Sequence, residues 1–180
     1  MSEFWTFTLG VYGREGVQSS VIHLQDERGA DVNLLLYAMW TASLGMPAFD
    51  KMHVSFLGSR VGAWRDTAIE PLRAVRVALG NGVSRVSKDE ADTMRKAVLK
   101  LEIEAERIEQ AVIEAANTDT AGRESVEPDP VVVATNLGAV MALSDEPLDG
   151  ENIKAIRALI VAACPESSAA DVDQAMTVIS

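Results

Sequence analysis

Two short stretches place polar side chains where their neighbours are apolar. The first is LQDERGADVN, residues 24–33, in which Gln25, Asp31 and Asn33 stand at the edge of an apolar run that continues LLLYAMW. The second is WRDTAIEPLRAVR, residues 64–76. On a helix, Arg76 falls four residues after Leu72 and three before Leu79, on an apolar stripe. Arg73 falls four after Ile69 and four before Val77, on the flank of that stripe. An arginine turned toward a core needs a carboxylate or oriented carbonyls, because desolvating it alone costs on the order of several kcal/mol. Asp31 is the natural partner, and Gln25 and Asn33 could complete the hydrogen bonds. Two readings follow. One is a buried polar network that fixes helix register. The other is a site for an anion or small polar ligand, joining the positive N-terminus of the helix behind Asp31 to Arg73 and Arg76. Glu70, beside Pro71, is a nearby carboxylate able to act as a base, but no residue pattern supplies it with a substrate.

Other chemistry is thinly represented. The chain has no phosphate-binding P-loop, no dinucleotide glycine fingerprint and no His-Glu-x-x-His zinc motif. It has no nucleophile elbow of the G-x-S-x-G type. His23 and His53 lie on different predicted helices; a metal site with Asp26 or Asp50 is conceivable, whereas a core or helix-edge histidine is the plainer reading. The pairs Asp89/Asp92 and Glu102/Glu106 read as solvated faces of a long helix. Cys164, the only cysteine, precedes Pro165 and reads as a buried structural thiol. No metal and no cofactor is expected.

The elements that carry these residues read as helices punctuated by glycine and proline. Ser2 can cap a short first helix that ends at Gly13 and holds Phe4, Trp5, Phe7 and Tyr12, four of the chain's nine aromatics. So short a helix cannot bury them alone and must dock in a groove or on a partner. A second helix runs from about Glu15 to Arg28, and Gly29 fits the position just past its end. The third begins at Asp31 and ends near Gly45. From Asp50 to about Gly80 the spacing stays helical, with a break or kink expected just before Pro71. After a loop, GNGVSRVS, Ser87 and Glu90 form a capping-box pattern. The helix behind them, residues 88–116, repeats Met94, Val98, Leu101, Ala105, Ile108, Val112 and Ala115 at alternating steps of four and three, an a/d seam of about three heptads. It suits either a long helix laid on the bundle or a coiled-coil dimer seam. NTDTAGRESVEPDP is a linker by composition. Asp129 and Pro130 then start another helix, a further one spans about Glu151 to Ala163, and Ser168 caps a last short one ending near Ile179. Trp5, Trp40 and Trp64 fall on three predicted helices and, with Tyr12, read as structural aromatics.

The 180 residues carry a formal net charge of −11. Residues 117–180 hold 11 acidic and 3 basic side chains, so most of the excess is there. Neither nucleic acid nor an anionic membrane surface is an expected partner, since both require a basic face. The first residues lack a basic n-region and a long apolar core, so no signal peptide is expected. The longest apolar stretch is too short and too mixed for a membrane span. A single cysteine fits a reducing compartment, and the expectation is a soluble, cytoplasmic protein.

The combination of FWTFTLGVYGREGV, LQDERGADVNLLLYAMW and PLRAVR resembles a family of small bacterial proteins, mainly proteobacterial, of unknown function. The resemblance rests on Trp5, Phe7, Leu9, Tyr12, Gln25, Gly29, Asp31, Val32, Asn33, Trp40, Pro71, Leu72, Arg73 and Arg76. Thr8 stands where that pattern has serine. The resemblance covers about residues 3–116 and implies no activity.

The expected fold is an all-α bundle of about seven or eight helices, with one long amphipathic helix near residues 88–116. Residues 1–116 would form the core, 117–130 an acidic linker, and 131–180 a helical segment packed back on the core. The favoured function is a non-enzymatic binding or regulatory module acting through protein contacts, with another protein or with itself as a homodimer. Its possible interface is Met94, Val98, Leu101, Ala105, Ile108 and Val112. The alternative is a small-molecule or anion-binding protein, or an enzyme, using Asp31, Asn33, Arg73, Arg76 and Gln25.

Overall fold

The chain starts and stops its helices with the residues that physical chemistry assigns to those places. In the computed structural model, which describes residues 2–179, Ser2 accepts from the Trp5 amide at the head of α1 (Glu3–Tyr12). α2 (Val17–Arg28) ends at Gly29, whose φ of +63° favours glycine and whose N–H caps the Gln25 carbonyl. Two residues later Asp31 caps α3 (Val32–Ser43). Asp50 caps α4 (Lys51–Trp64). Ser87 and Glu90 close a full capping box at the start of α6 (Lys88–Ala116). Asp129, Asp149 and Ser168 cap α7 (Pro130–Met141), α8 (Gly150–Ala163) and α9 (Ala169–Met176). The last helix stops short of Ile179, because the chain closes in turns after Met176. No strand occurs among the described residues, and none of their helices is long and apolar enough to cross a membrane.

Pro71 has a specific consequence. It cannot donate to a preceding carbonyl, and its ring crowds the turn before it. The helix does not break there. It widens into a π-helical segment, Arg65–Ile69, in which the Glu70 amide reaches back to the Arg65 carbonyl, and continues as α5 (Glu70–Gly80). α4, the π segment and α5 are therefore one rod, and the described chain forms eight such helical rods in an all-α bundle.

α3 is the axis of the bundle. Every residue from Asn33 to Ser43 is buried, and α1, α2, α6, α7 and α8 all touch it. Phe4 of α1 stacks on Trp40 with ring centroids 4.9 Å apart and meets Tyr37 edge-on. This is how the aromatic first helix docks. Asn136 on α7, fully buried, donates to the Ala38 carbonyl and accepts from the Phe49 amide, tying α7 to the middle of α3 and to the strap before α4. Leu137, Ile156, Leu159 and Cys164 join the same apolar cluster. Burial pushes the Cys164 thiol up to about 12, so it stays protonated.

α6 turns a face toward the body that its apolar spacing does not announce. Its buried residues are Ala91, Val98, Glu102, Ala105, Glu109, Gln110 and Ile113. Glu102 is 3% exposed, which overturns the solvated reading of the Glu102/Glu106 pair. The reason lies on α5, whose arginines reach across to it. Of the seam residues, Val98 and Ala105 are buried and Ile108 is half-buried, while Met94, Leu101, Val112 and Ala115 are exposed.

Replacing Trp40 with alanine removes the ring on which Phe4 stacks and leaves a cavity at the axis. The Trp40→Ala variant should lose about 3–5 kcal/mol of unfolding free energy in urea titration.

Candidate functional site

The polar residues singled out in the sequence meet along one seam, where the start of α3 faces the π segment, α5 and α6. Asp31 serves two partners. Its Oδ1 accepts from the Asn33 and Leu34 amides at 2.8 and 3.3 Å, and its Oδ2 accepts from Arg65 Nη1 at 2.7 Å. Arg65, one helical repeat before Ile69, is thus the arginine that pairs with Asp31; Arg73 and Arg76 have other partners. Arg76 holds Glu102 through both Nε and Nη2, the latter at 3.0 Å from Oε1. Arg73 is shared among Glu70 at 2.8 Å, Glu102 at 3.3 Å and Glu106 at 3.5 Å. The Gln25 amide faces Arg73 and, with its oxygen on that side, accepts from both terminal nitrogens at 3.0 Å. Each of the three guanidinium groups is already engaged by carboxylate, so none stands ready for an anionic ligand.

Asn33 sits in a separate chain of hydrogen bonds. Thr8 Oγ1 donates to Gln110 Oε1 at 2.9 Å, Gln110 Nε2 donates to Asn33 Oδ1 at 2.8 Å, and Asn33 Nδ2 donates to Glu109 Oε2 at 2.6 Å. All four side chains are buried. A serine at position 8 would present the same hydroxyl. Glu109, 1% exposed, is the end of the chain, and no donor reaches its second oxygen, Oε1. Burial, then the charge of Asp31, raises its carboxyl to about 8, so that it holds a proton near neutrality. Burial and the Glu102 charge lift Glu106 to about 7. The Tyr12 hydroxyl is raised too, by burial and then by Glu106. The seam therefore carries more carboxylates than arginines, and protons make up the difference near neutrality.

Two cavities flank the divider formed by Gln25, Arg73 and Glu106. One, about 450 Å³, opens at the start of α3 and is lined by Asp31, Arg65, Glu70, Glu109 and the divider itself. The other, about 480 Å³, is a groove between α1, α2 and α6 with Trp5, Leu9, Ile22, Leu99 and Ile103 as walls and Tyr12, Arg76 and Glu102 at its base. Trp40 is core, whereas Trp5 and Tyr12 line the groove. Trp64, 37% exposed, lies outside both and donates from Nε1 to the Ala105 carbonyl at 2.9 Å. His53 Nε2 lies 3.0 Å from the Tyr37 hydroxyl, and burial lowers the histidine's pKa. Among the described residues no group of His, Cys, Asp and Glu side chains converges on a metal position.

Arg65, Glu109 and Gln110 escape the sequence reading; Glu102 and Glu106 enter it only as a solvated face, and Thr8 only as a departure from serine. A signal exists for some of them. Arg65, Ile69, Arg73 and Arg76 share one stripe, and the next helix in the chain carries Glu102 and Glu109 at the spacing of Val98, Ala105 and Ile113.

The chain belongs to the family described as "Protein of unknown function (DUF2390)", whose model matches residues 3–113. The whole polar seam lies inside that span. No curated protein and no solved structure matches the chain.

Two outcomes follow from the seam. Glu102→Ala strips Arg73 and Arg76 of their shared buried partner and should cost about 3 kcal/mol in chemical unfolding. Glu109 and Glu106 bind protons more tightly folded than unfolded, so their contribution to stability falls as pH rises from about 4.5 and levels off near 8. The wild-type urea midpoint should drop between pH 6.5 and 8.5, a window above the lowered His53 titration. Glu109→Gln should flatten that drop.

Proposed function

We propose that this chain is a non-enzymatic binding module that acts through protein–protein contacts, that its docking element is the arm made by α5 and the first half of α6, and that the occupant is a second copy of the chain. The observation that carries this reading is α5 itself. None of its residues is buried: it leaves Val75 and Val77 about half exposed on different sides, and Met94 and Leu101 of the neighbouring α6 are exposed as well. A two-helix arm cannot cover its own apolar sides, and two such arms make a four-helix bundle.

Charge favours a second copy. Residues 77–101 hold five basic and three acidic side chains on a chain of −11. Contact through the arms keeps the acidic bodies of the two copies farthest apart. Within α6 the acidic residues Asp89, Glu90 and Asp92 precede Arg95, Lys96 and Lys100. Antiparallel pairing about a two-fold axis would set each acidic turn against the other copy's basic stretch.

A small-molecule site at the start of α3 is the second reading. It is favoured by the two cavities that meet at Arg73 and Glu106.

Light scattering on a sizing column tests the docking reading. The wild type should run as a dimer, and Val77→Glu/Leu101→Glu should run as a monomer with unchanged helical circular dichroism, both positions being exposed. A wild type that stays monomeric up to a concentration of about 10⁻⁴ M, where ΔG of association would be near −5.5 kcal/mol, overturns the second copy as occupant.

A further inference from the structure

We infer that the chamber at the start of α3 takes an organic ammonium ion, with the adjoining groove holding that ligand's apolar body. The inference rests on the reading of this place as a small-molecule site and names the class of molecule.

Four observations on the chamber point the same way. First, its lining is acidic: Asp26, Asp31, Glu70, Glu106 and Glu109 face only Arg65 and Arg73. Both arginines are spent on carboxylates within the seam, so what the chamber lacks is positive charge. Second, Glu109, 1% exposed, lines the chamber with an oxygen that no donor reaches. No protein N–H answers this buried oxygen, so only the carboxyl's own proton or an entering cation can, and an ammonium N–H is such a replacement. Third, a volume of about 450 Å³ is far larger than a bare metal ion, and the carboxylates do not converge as ligands around one point. Fourth, the neighbouring groove shares Gln25, Val32, Asn33, Arg73 and Glu106 with the chamber and presents Leu9, Ile22, Leu99 and Ile103 as exposed apolar walls. A charged head and an apolar body thus find matching surroundings side by side.

The seam also shows what the cation would replace. Glu109 is faced by Asp31 and Asn33 at the start of α3 and by Arg65 of the π segment. Glu106 is faced by Glu102, Arg73, Arg76 and Asp31, with Tyr12 of α1 beside it. Glu70 of α5 is held by Arg73, and Asp26 of α2 lines the far wall. With both glutamates raised toward neutrality, protons fill the deficit in the empty site. An entering ammonium displaces them, so binding releases protons and strengthens as pH rises from about 6.5 to 8.5.

The test titrates the full chain with n-hexylammonium, n-hexanoate and n-hexanol at pH 7.5, following amide and indole shifts by NMR. Calorimetry in two buffers of different ionisation enthalpy counts the protons released. n-Hexylammonium alone should bind, shifting the Trp5 indole and the Asn33 and Gln110 side-chain amides and releasing on the order of one proton. Glu109→Gln should weaken it at least tenfold and cut proton release to the fraction held by Glu106 while melting no lower than the wild type. Leu9→Ser, on the exposed groove wall, should weaken n-hexylammonium but not methylammonium. Binding of n-hexanoate in its place, or n-hexylammonium binding unaffected by Glu109→Gln, overturns the ammonium assignment and leaves a small-molecule site standing. Saturation by calcium ion at the same residues overturns the organic ligand. Failure of every probe to shift these signals overturns the small-molecule reading as well.

Discussion

Burying Glu102 and Glu109 on the inner face of α6 is the constraint that organises the rest. A desolvated carboxylate must be paired, hydrogen-bonded or protonated, and the two residues take different routes. Glu102 recruits Arg73 and Arg76 from the antiparallel α5, with Arg76 gripping both of its oxygens. This pairing fixes how the α5–α6 arm lies on itself, because a slide of one turn would leave an arginine or a glutamate without its counterpart. Glu109 recruits Asn33 and keeps a proton. That choice fixes α6 against the first turn of α3, the helix on which the remaining core is packed.

The π segment makes the two pairings compatible. Arg65 must reach Asp31 at the head of α3, while Arg73 and Arg76 must reach α6. In a regular helix residues 65 and 76 are eleven steps of 100° apart, three full turns and a little more, so they share one side. The extra residue per turn at Arg65–Ile69 rotates the upstream part of the rod relative to α5. Pro71 supplies the cause locally, and the split allegiance of the arginines gives the distortion its consequence.

These relations explain what the sequence disclosed and what it hid. Caps are local: Ser2, Asp31, Ser87, Asp129 and Ser168 declare helix starts within three or four residues, and the structure has a helix behind each. Arg73 and Arg76 also declared themselves, because a charge on an apolar stripe is anomalous within a single turn. Their partner did not. Assigning Asp31 to them presumed that the nearest marked carboxylate was theirs, while the hairpin connection after Gly80 places α6 against α5 instead. The heptad pattern of α6 likewise does not mark the face that turns inward. Periodicity ranks faces by hydrophobicity, and here the buried face is the one with Glu102 and Glu109, because arginines from α5 complete it. Asn33 marks the same limit: its burial was legible, but its partners lie 76 and 77 residues ahead.

α6 thus carries three surfaces on one rod. Its inner face holds the carboxylates. Leu99 and Ile103 form a wall of the groove beside the acidic chamber. Leu101, between them in sequence but about 200° around the helix from Leu99, looks away toward the side shared with Met94. The groove wall and the proposed docking face are therefore opposite sides of a single helix pinned at Glu102. A ligand in the groove and a second copy on the arm, as proposed, would not compete for the same side chains. Both surfaces belong to a helix whose register Glu102 sets through its two arginines on α5.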